Sequence, residues 1–255
     1  MKFKVNRVQC WMIVVFLSLG ACGKLKSTSS PQSSPNPPSP ATPEPPSHFT
    51  DQPQVLVGWL QEYDTHIHSE IQAQETELLQ LSADEMATVC PKWSDLSTVQ
   101  KLNFWSSLLY AVAKEESDFE RNMIYLETGL STDPITKQQI RSEGLLQLSY
   151  GDVEVYHYPF DDISWERDST SALHDYEIGT KKGDATRTLL NAYSNLNLGL
   201  WIMRDLLKKR PAELFESATC RYWSTLRPNS TPFGKILDTL GEKIPACGYP
   251  LKQIH

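Results

Sequence analysis

Apolar residues recur at helical spacing in three stretches of the chain. Val55, Leu56, Trp59, Leu60, Tyr63, Ile67 and Ile71 form the first, and Leu189, Leu190, Tyr193, Leu196, Leu200, Met203 and Leu207 another. Between them, Leu102, Trp105, Leu109 and Val112 make one row of a long helix, and Phe104, Leu108 and Ala111 the row beside it. Steps of three and four place such residues on one helical face, whereas strands alternate with period two. Asp184 is positioned to cap the helix through Leu207 and Pro211 to stop it, and Glu213 to Cys220 reads as one more helix. Alternation is confined to Val153-Glu154-Val155-Tyr156, so the pattern predicts an all-α domain with at most a small hairpin near residues 150 to 160.

The N-terminus has a different texture. Lys2, Lys4 and Arg7 precede the apolar run Trp11 to Leu17, too short for a membrane span and ordered as in a secretory signal. The run ends at Leu19-Gly20-Ala21-Cys22, which resembles a bacterial lipobox; the resemblance implies cleavage after residue 21 and lipidation of Cys22, with several acyl chains holding the protein on a membrane. The blander alternative is an ordinary signal with an incidental cysteine. Gly23 in place of Asp favours the outer membrane. Residues 22–48 then carry eight of the seventeen prolines and no large apolar side chain past Leu25, a composition that cannot offset the entropy of folding. Extended as polyproline II, 27–48 would span on the order of 60 to 70 Å, a tether to a domain at 49–255. About two hundred residues can bury a sizeable core.

Charge and cysteines narrow the partners. The formal charge is −7, and loss of three basic residues with the signal takes it to about −10, which disfavours nucleic acid as a partner. With Cys10 removed and Cys22 acylated, Cys90, Cys220 and Cys247 would meet an oxidising compartment. Cys90 and Cys247 adjoin Pro91 and Gly248 in loops, so they are the expected disulfide, with Cys220 a buried thiol. His66 and His68, two apart on a helix, do not share a face; no metal and no cofactor is expected.

The candidate chemistry lies at the end of the long helix. Ala113-Lys114-Glu115-Glu116-Ser117-Asp118-Phe119 is followed by Gly144-Leu145-Leu146-Gln147-Leu148, then Asn195-Leu196-Asn197-Leu198-Gly199, then Arg221-Tyr222-Trp223-Ser224. Over residues 99 to 226 this resembles lytic transglycosylases of the soluble/goose-lysozyme type, whose motifs are Glu-Ser-x-Phe, Gly-Leu-Met-Gln, Asn-Ile-x-x-Gly and Tyr-Asn, in that order. Periodicity alone barely separates Glu115 from Glu116, since each continues one apolar row; the motif selects Glu116. The resemblance implies a lysozyme-like helical fold with Glu116 as catalytic acid. It also implies Ser117 orienting Glu116 or substrate, Gly144 to Leu148 forming a cleft wall with Gln147 on sugar amides, and Asn195 and Tyr222 beside them. A carboxyl at the end of an apolar stripe loses hydration, which favours the protonated form that a general acid needs. Two departures concern the cleft rim: Arg141-Ser142 replaces the family Gly-Ala, and Trp223-Ser224 replaces Asn-x-Gly.

The implied substrate is the glycan strand of peptidoglycan. Glu116 would protonate the bridging oxygen, then accept the proton of the muramyl C6 hydroxyl as that oxygen closes on C1 to give a 1,6-anhydromuramyl end. A hydrolase on the same fold would need water and commonly a second carboxylate, for which Asp133, Asp152, Asp161 and Asp162 are candidates. A non-catalytic glycan-binding lipoprotein is the third alternative.

Overall fold

The computed structural model describes residues 58–128, 130–169, 180–183, 186–209, 215 and 222–249, all within one compact unit. The signal at 1–21, Cys22, the tether, Asp184, Pro211 and Cys220 lie outside the described residues, and no described helix is long and apolar enough to cross a membrane.

Helix α1, Gln61–Ala73, buries Tyr63, Ile67 and Ile71, spaced by four. Helix α3, Thr98–Ser117, follows the short α2, Ala83–Met86. Ser97 and Gln100 form a reciprocal capping box that satisfies two otherwise unpaired N–H groups at its start. Both of its predicted apolar rows are buried, because the helix is central and packs on α1 and on α7, Thr231–Lys243. The inner aromatics meet edge to face, Trp93 on Phe104 at 5.3 Å and Phe104 on Trp105 at 5.4 Å. The indoles donate to carbonyls of the preceding turns, Trp105 to Leu78 and Trp93 to Leu81.

At the end of α3 the backbone turns through two left-handed residues, Asp118 at φ 52° and Phe119 at φ 64°. Such a conformation costs a side-chain-bearing residue free energy, and here the Phe119 ring is received between Tyr110 at 4.8 Å and Trp59 at 6.2 Å. The chain then enters β1, Met123–Leu126, the middle of an antiparallel sheet ordered β2-β1-β3, with β2 at Arg141–Glu143 and β3 at Thr180–Lys182.

The fold is mostly helical, as the pattern predicts, but two local expectations are corrected. Residues 150 to 155 are helix α4, Tyr150–Val155, and not part of a hairpin. Asp152 accepts hydrogen bonds from Ser149 N at 2.6 Å and Ser149 Oγ at 2.9 Å, which starts a helix at the position where four alternating residues suggested a strand. Helix α6, Ala192–Lys209, begins three residues later than its first leucine because Leu189 and Leu190 sit in a 3-10 turn. Asn191 Oδ1 accepts from Tyr193 N and Ser194 N and so caps it. Between them lies α5, Trp165–Asp168.

Cys90 and Cys247 form the expected disulfide, joining positions 157 apart with Cα atoms 4.7 Å from each other. Both are fully buried, and Lys92 N donates to Cys247 O beside the bridge.

Candidate active site

The two glutamates at the end of α3 have separate surroundings. Glu115, half-buried, faces α7, where Lys235 Nζ lies 3.0 Å from its Oε2. Glu116, half-buried, accepts a hydrogen bond from the hydroxyl of Thr225, 2.8 Å from Oε1. Thr225 was not among the residues singled out from sequence; a lone threonine in a three-residue 3-10 turn, Ser224–Leu226, carries no periodic signal.

Ser117 takes a different part from the one its motif suggested. Its hydroxyl lies 3.0 Å from Ala113 O and 2.9 Å from Leu145 O, and the residue is 1% exposed, so it ties the helix end to the loop 143–148 and does not face a substrate. That loop is where the motifs meet. Glu143 and Leu148 exchange both backbone hydrogen bonds across it, and Gly144 N donates to Met123 O of β1. Asn195, fully buried on α6, accepts from Leu146 N at 2.9 Å through Oδ1 and donates through Nδ2 to Glu143 O at 3.1 Å and Leu189 O at 3.0 Å. Trp223 Nε1 donates to Leu146 O at 2.9 Å, giving this departure from the family pattern a definite task. Gln147 Nε2 donates to Gly144 O, which closes the loop on itself.

Two glycines are dictated by this convergence. Gly144 has φ +78°, and a Cβ there would stand 2.5 Å from Asn195 Nδ2; a Cβ on Gly199 would stand 2.2 Å from Leu146 Cδ1. Leu145, Leu146 and Leu148 are fully buried and Gln147 nearly so, so these side chains form the core beneath the loop. Their backbone groups are likewise taken up inside the fold, by Ser117, Asn195, Trp223 and the Glu143–Leu148 pair. Glu143, at the loop entry, is itself held by a buried bidentate pairing with Arg187, at 2.7 Å between Nη2 and Oε1. The Arg187 guanidinium lies over the rings of Tyr150 and Trp165.

Tyr222 is buried, in edge-to-face contact with Trp223 at 4.5 Å and with Tyr156 at 5.8 Å, and its hydroxyl donates to Asp152 Oδ2. Burial pushes the Asp152 carboxyl up to about 6, against the opposing effect of the hydrogen bonds from Tyr222 and Ser149. The residues 222 to 225 therefore hold α4 at one end and Glu116 at the other.

Of the four aspartates considered as a second carboxylate, Asp133 is engaged by three backbone N–H groups, from Ile135, Thr136 and Gly151, and Asp152 caps α4. Asp161 is exposed and Asp162 accepts from Tyr158 Oη at 3.3 Å. A further carboxylate, Glu127 just after β1, is 4% exposed and receives Ser142 Oγ at 2.5 Å. Ser142 belongs to the other departure from the family motif, which links that departure to a carboxylate the sequence did not single out. A recess little larger than a water molecule is lined by Asp133, Gln139, Arg141, Glu143, Tyr150 and Trp165; Glu116 is not on its wall. Among the described residues no cluster suited to a metal ion occurs, and His66 Nε2 pairs with Asn197 Oδ1 at 2.7 Å.

No family model matches the chain, and no curated protein does. Solved structures of Bd0314 DslA, from Bdellovibrio, are similar in fold. The wild-type form is 22% identical with a TM-score of 0.56, over 76% of this chain and all of that one. A glutamate-to-glutamine variant is 23% identical with a TM-score of 0.55, over 73% of this chain and 91% of that one. A second such variant matches at 22% identity over the same shares. At this identity the likeness is one of fold, in accord with the lysozyme-like arrangement implied by the four motifs.

Proposed function

We propose that this chain is a peptidoglycan lytic transglycosylase, cleaving the β-1,4 bond between muramyl and glucosaminyl residues and leaving 1,6-anhydromuramyl ends. The observation that carries the reading is the convergence on loop 143–148. Ser117 from the end of α3, Asn195 from α6 and Trp223 from the segment before α7 all bind its backbone, and the same ensemble leaves Glu116 half-buried with its carboxyl held by Thr225. A general acid must be held within hydrogen-bond reach of one oxygen of the substrate, and the Thr225 hydroxyl fixes the Glu116 carboxyl at the end of α3.

In the proposed mechanism a glycan strand passes the half-buried Glu116 at the end of α3, and the buried loop 143–148 supports that helix end from behind. The Glu116 carboxyl gives its proton to the bridging oxygen as the bond from that oxygen to C1 breaks. The resulting carboxylate takes the proton of the C6 hydroxyl while O6 bonds to C1, and Glu116 ends protonated for the next turnover. No water is consumed. The lipobox at Leu19 to Cys22 and the proline-rich tether support a setting at the outer membrane, facing the wall, with the tether setting the reach of the acidic domain.

The second reading is a hydrolytic muramidase, and Glu127 is the observation in its favour. It is a buried carboxylate at the sheet, eleven positions beyond Glu116, and the two solved glutamate variants of Bd0314 DslA are also at sites eleven apart. Digestion of purified sacculi by the mature domain, with products resolved by mass, separates the two: anhydro ends for a lyase, reducing ends for a hydrolase. Glu116→Gln should abolish release of either product, about 100-fold or more, while leaving thermal unfolding nearly unchanged. Undiminished release by this variant would remove Glu116 from both mechanisms.

A further inference from the structure

Thr225 reaches Glu116 across 109 positions of sequence, and it is 3% exposed. Its turn is fixed from both sides. Trp223 is hydrogen-bonded to Leu146 O, Tyr222 to Asp152, and Leu226 N to Trp223 O at 3.1 Å. The hydroxyl is therefore presented to Oε1 by a frame that does not depend on Glu116 itself.

The two oxygens of a carboxyl are equivalent in water, and a donor aimed at one of them removes that equivalence. The oxygen that accepts is favoured as the carbonyl, and the proton is left on the other. A threonine hydroxyl can also keep donating to the same oxygen once the carboxyl has ionised.

We infer that Thr225 is a positioning residue for Glu116, reserving Oε1 as an acceptor so that the transferable proton resides on Oε2. The inference rests on the reading of Glu116 as the proton donor. On cleavage the Oε2 proton passes to the bridging oxygen as that oxygen leaves C1; the carboxylate, still bonded to Thr225, then accepts the C6 hydroxyl proton as O6 bonds to C1. The threonine exchanges no proton in either step. Its contribution is the choice of oxygen and the fixing of the side-chain rotamer, and misplacement of a reacting group by a fraction of an ångström to an ångström is costly in rate.

The test uses the mature domain on soluble uncrosslinked peptidoglycan strands. Glu116→Gln is measured first, since survival of activity there refutes the reading of Glu116 and this inference with it. Given its loss, Thr225→Val, which keeps the shape and removes the donor, should lower kcat about 10- to 100-fold with KM changed less than about twofold. The limb of the pH profile that reports Glu116 should move to higher pH, because a carboxylate deprived of a donor becomes more basic. Charged groups described around this end of α3 include Glu115 with Lys235, Lys114 with Asp118, and Asp152 with Tyr222; none of these is altered by the substitution. Thr225→Ser, which restores the hydroxyl, should return kcat and the pH limb close to wild type. A Thr225→Val enzyme with unchanged kcat and pH limb overturns the inference, as does a Thr225→Ser enzyme as impaired as Thr225→Val, which would assign the effect to the lost methyl. Should melting curves show Thr225→Val unfolded, Thr225→Ala compared with Thr225→Ser supplies the same readouts.

Discussion

Two places in this protein join segments that are remote in sequence, and they do it by different chemistry. At the Cys90–Cys247 junction a covalent bond in an apolar setting holds the tail after α7 to the turn before α3. At loop 143–148 the joining is done by hydrogen bonds from buried polar side chains, chiefly Ser117, Asn195 and Trp223, each directed at a particular backbone atom. The covalent link acts mainly on the unfolded chain, by restricting it, and is indifferent to the fine shape of the loop. The polar clamp adds modest net stability per bond, because each bond replaces one with water, but it penalises any loop geometry that leaves a buried group unpaired. One junction supplies stability and the other supplies shape.

That contrast can be broken from either side. Cys90→Ser and Cys247→Ser should each lower stability by up to roughly 4 to 5 kcal/mol, the loop-closure value for a bridge of this span, with activity per folded molecule preserved; denaturant unfolding read beside activity checks both halves. Asn195→Ala strips two bonds from the clamp and a third to Leu189 O, and should destabilise by about 3 kcal/mol. Activity should fall further than the folded fraction accounts for, and proportional loss would mean that the clamp is only structural. Asp152→Asn tests the support behind Tyr222. Because burial raises the folded-state value of this carboxyl from 3.8 to about 6, the native state holds the proton more tightly than the unfolded chain, so the contribution of Asp152 to stability is fully present at low pH and is lost as pH rises from about 4 to 6. The asparagine variant should lack that decline, on the order of 2 to 3 kcal/mol; identical slopes in thermal melts across this range would refute the assignment. Glu115→Gln should be smallest, under about 1 kcal/mol, since its partner Lys235 is largely exposed. A large activity loss from it would reopen the choice between the two glutamates.

Much of the helical scaffold could be read from the chain because its signal is long. Twenty residues of α3 repeat two apolar rows often enough that both prove buried, and the capping residue Ser97 stands with Gln100 three positions on. The strands, three or four residues each, are too short for a period of two to emerge, and two valines of α4 imitated one. The same limit applies to the site. Motif order singled out Glu116 and the loop, but it could not give the contacts of Ser117, because which way a hydroxyl at the helix end faces depends on what packs on that side of the helix. Thr225 and Glu127 are defined by partners distant in sequence and leave no local trace.

The spans over which the loop is clamped also bear on the order in which the molecule assembles. Ser117, Asn195 and Trp223 reach Leu145 or Leu146 from 28, 49 and 77 positions away. Contacts between distant residues can form only after the intervening chain has been brought to order, so they follow the local helices in folding. Loop 143–148 is thus a late product of folding, and it acquires its final shape only once the helices around it are in place.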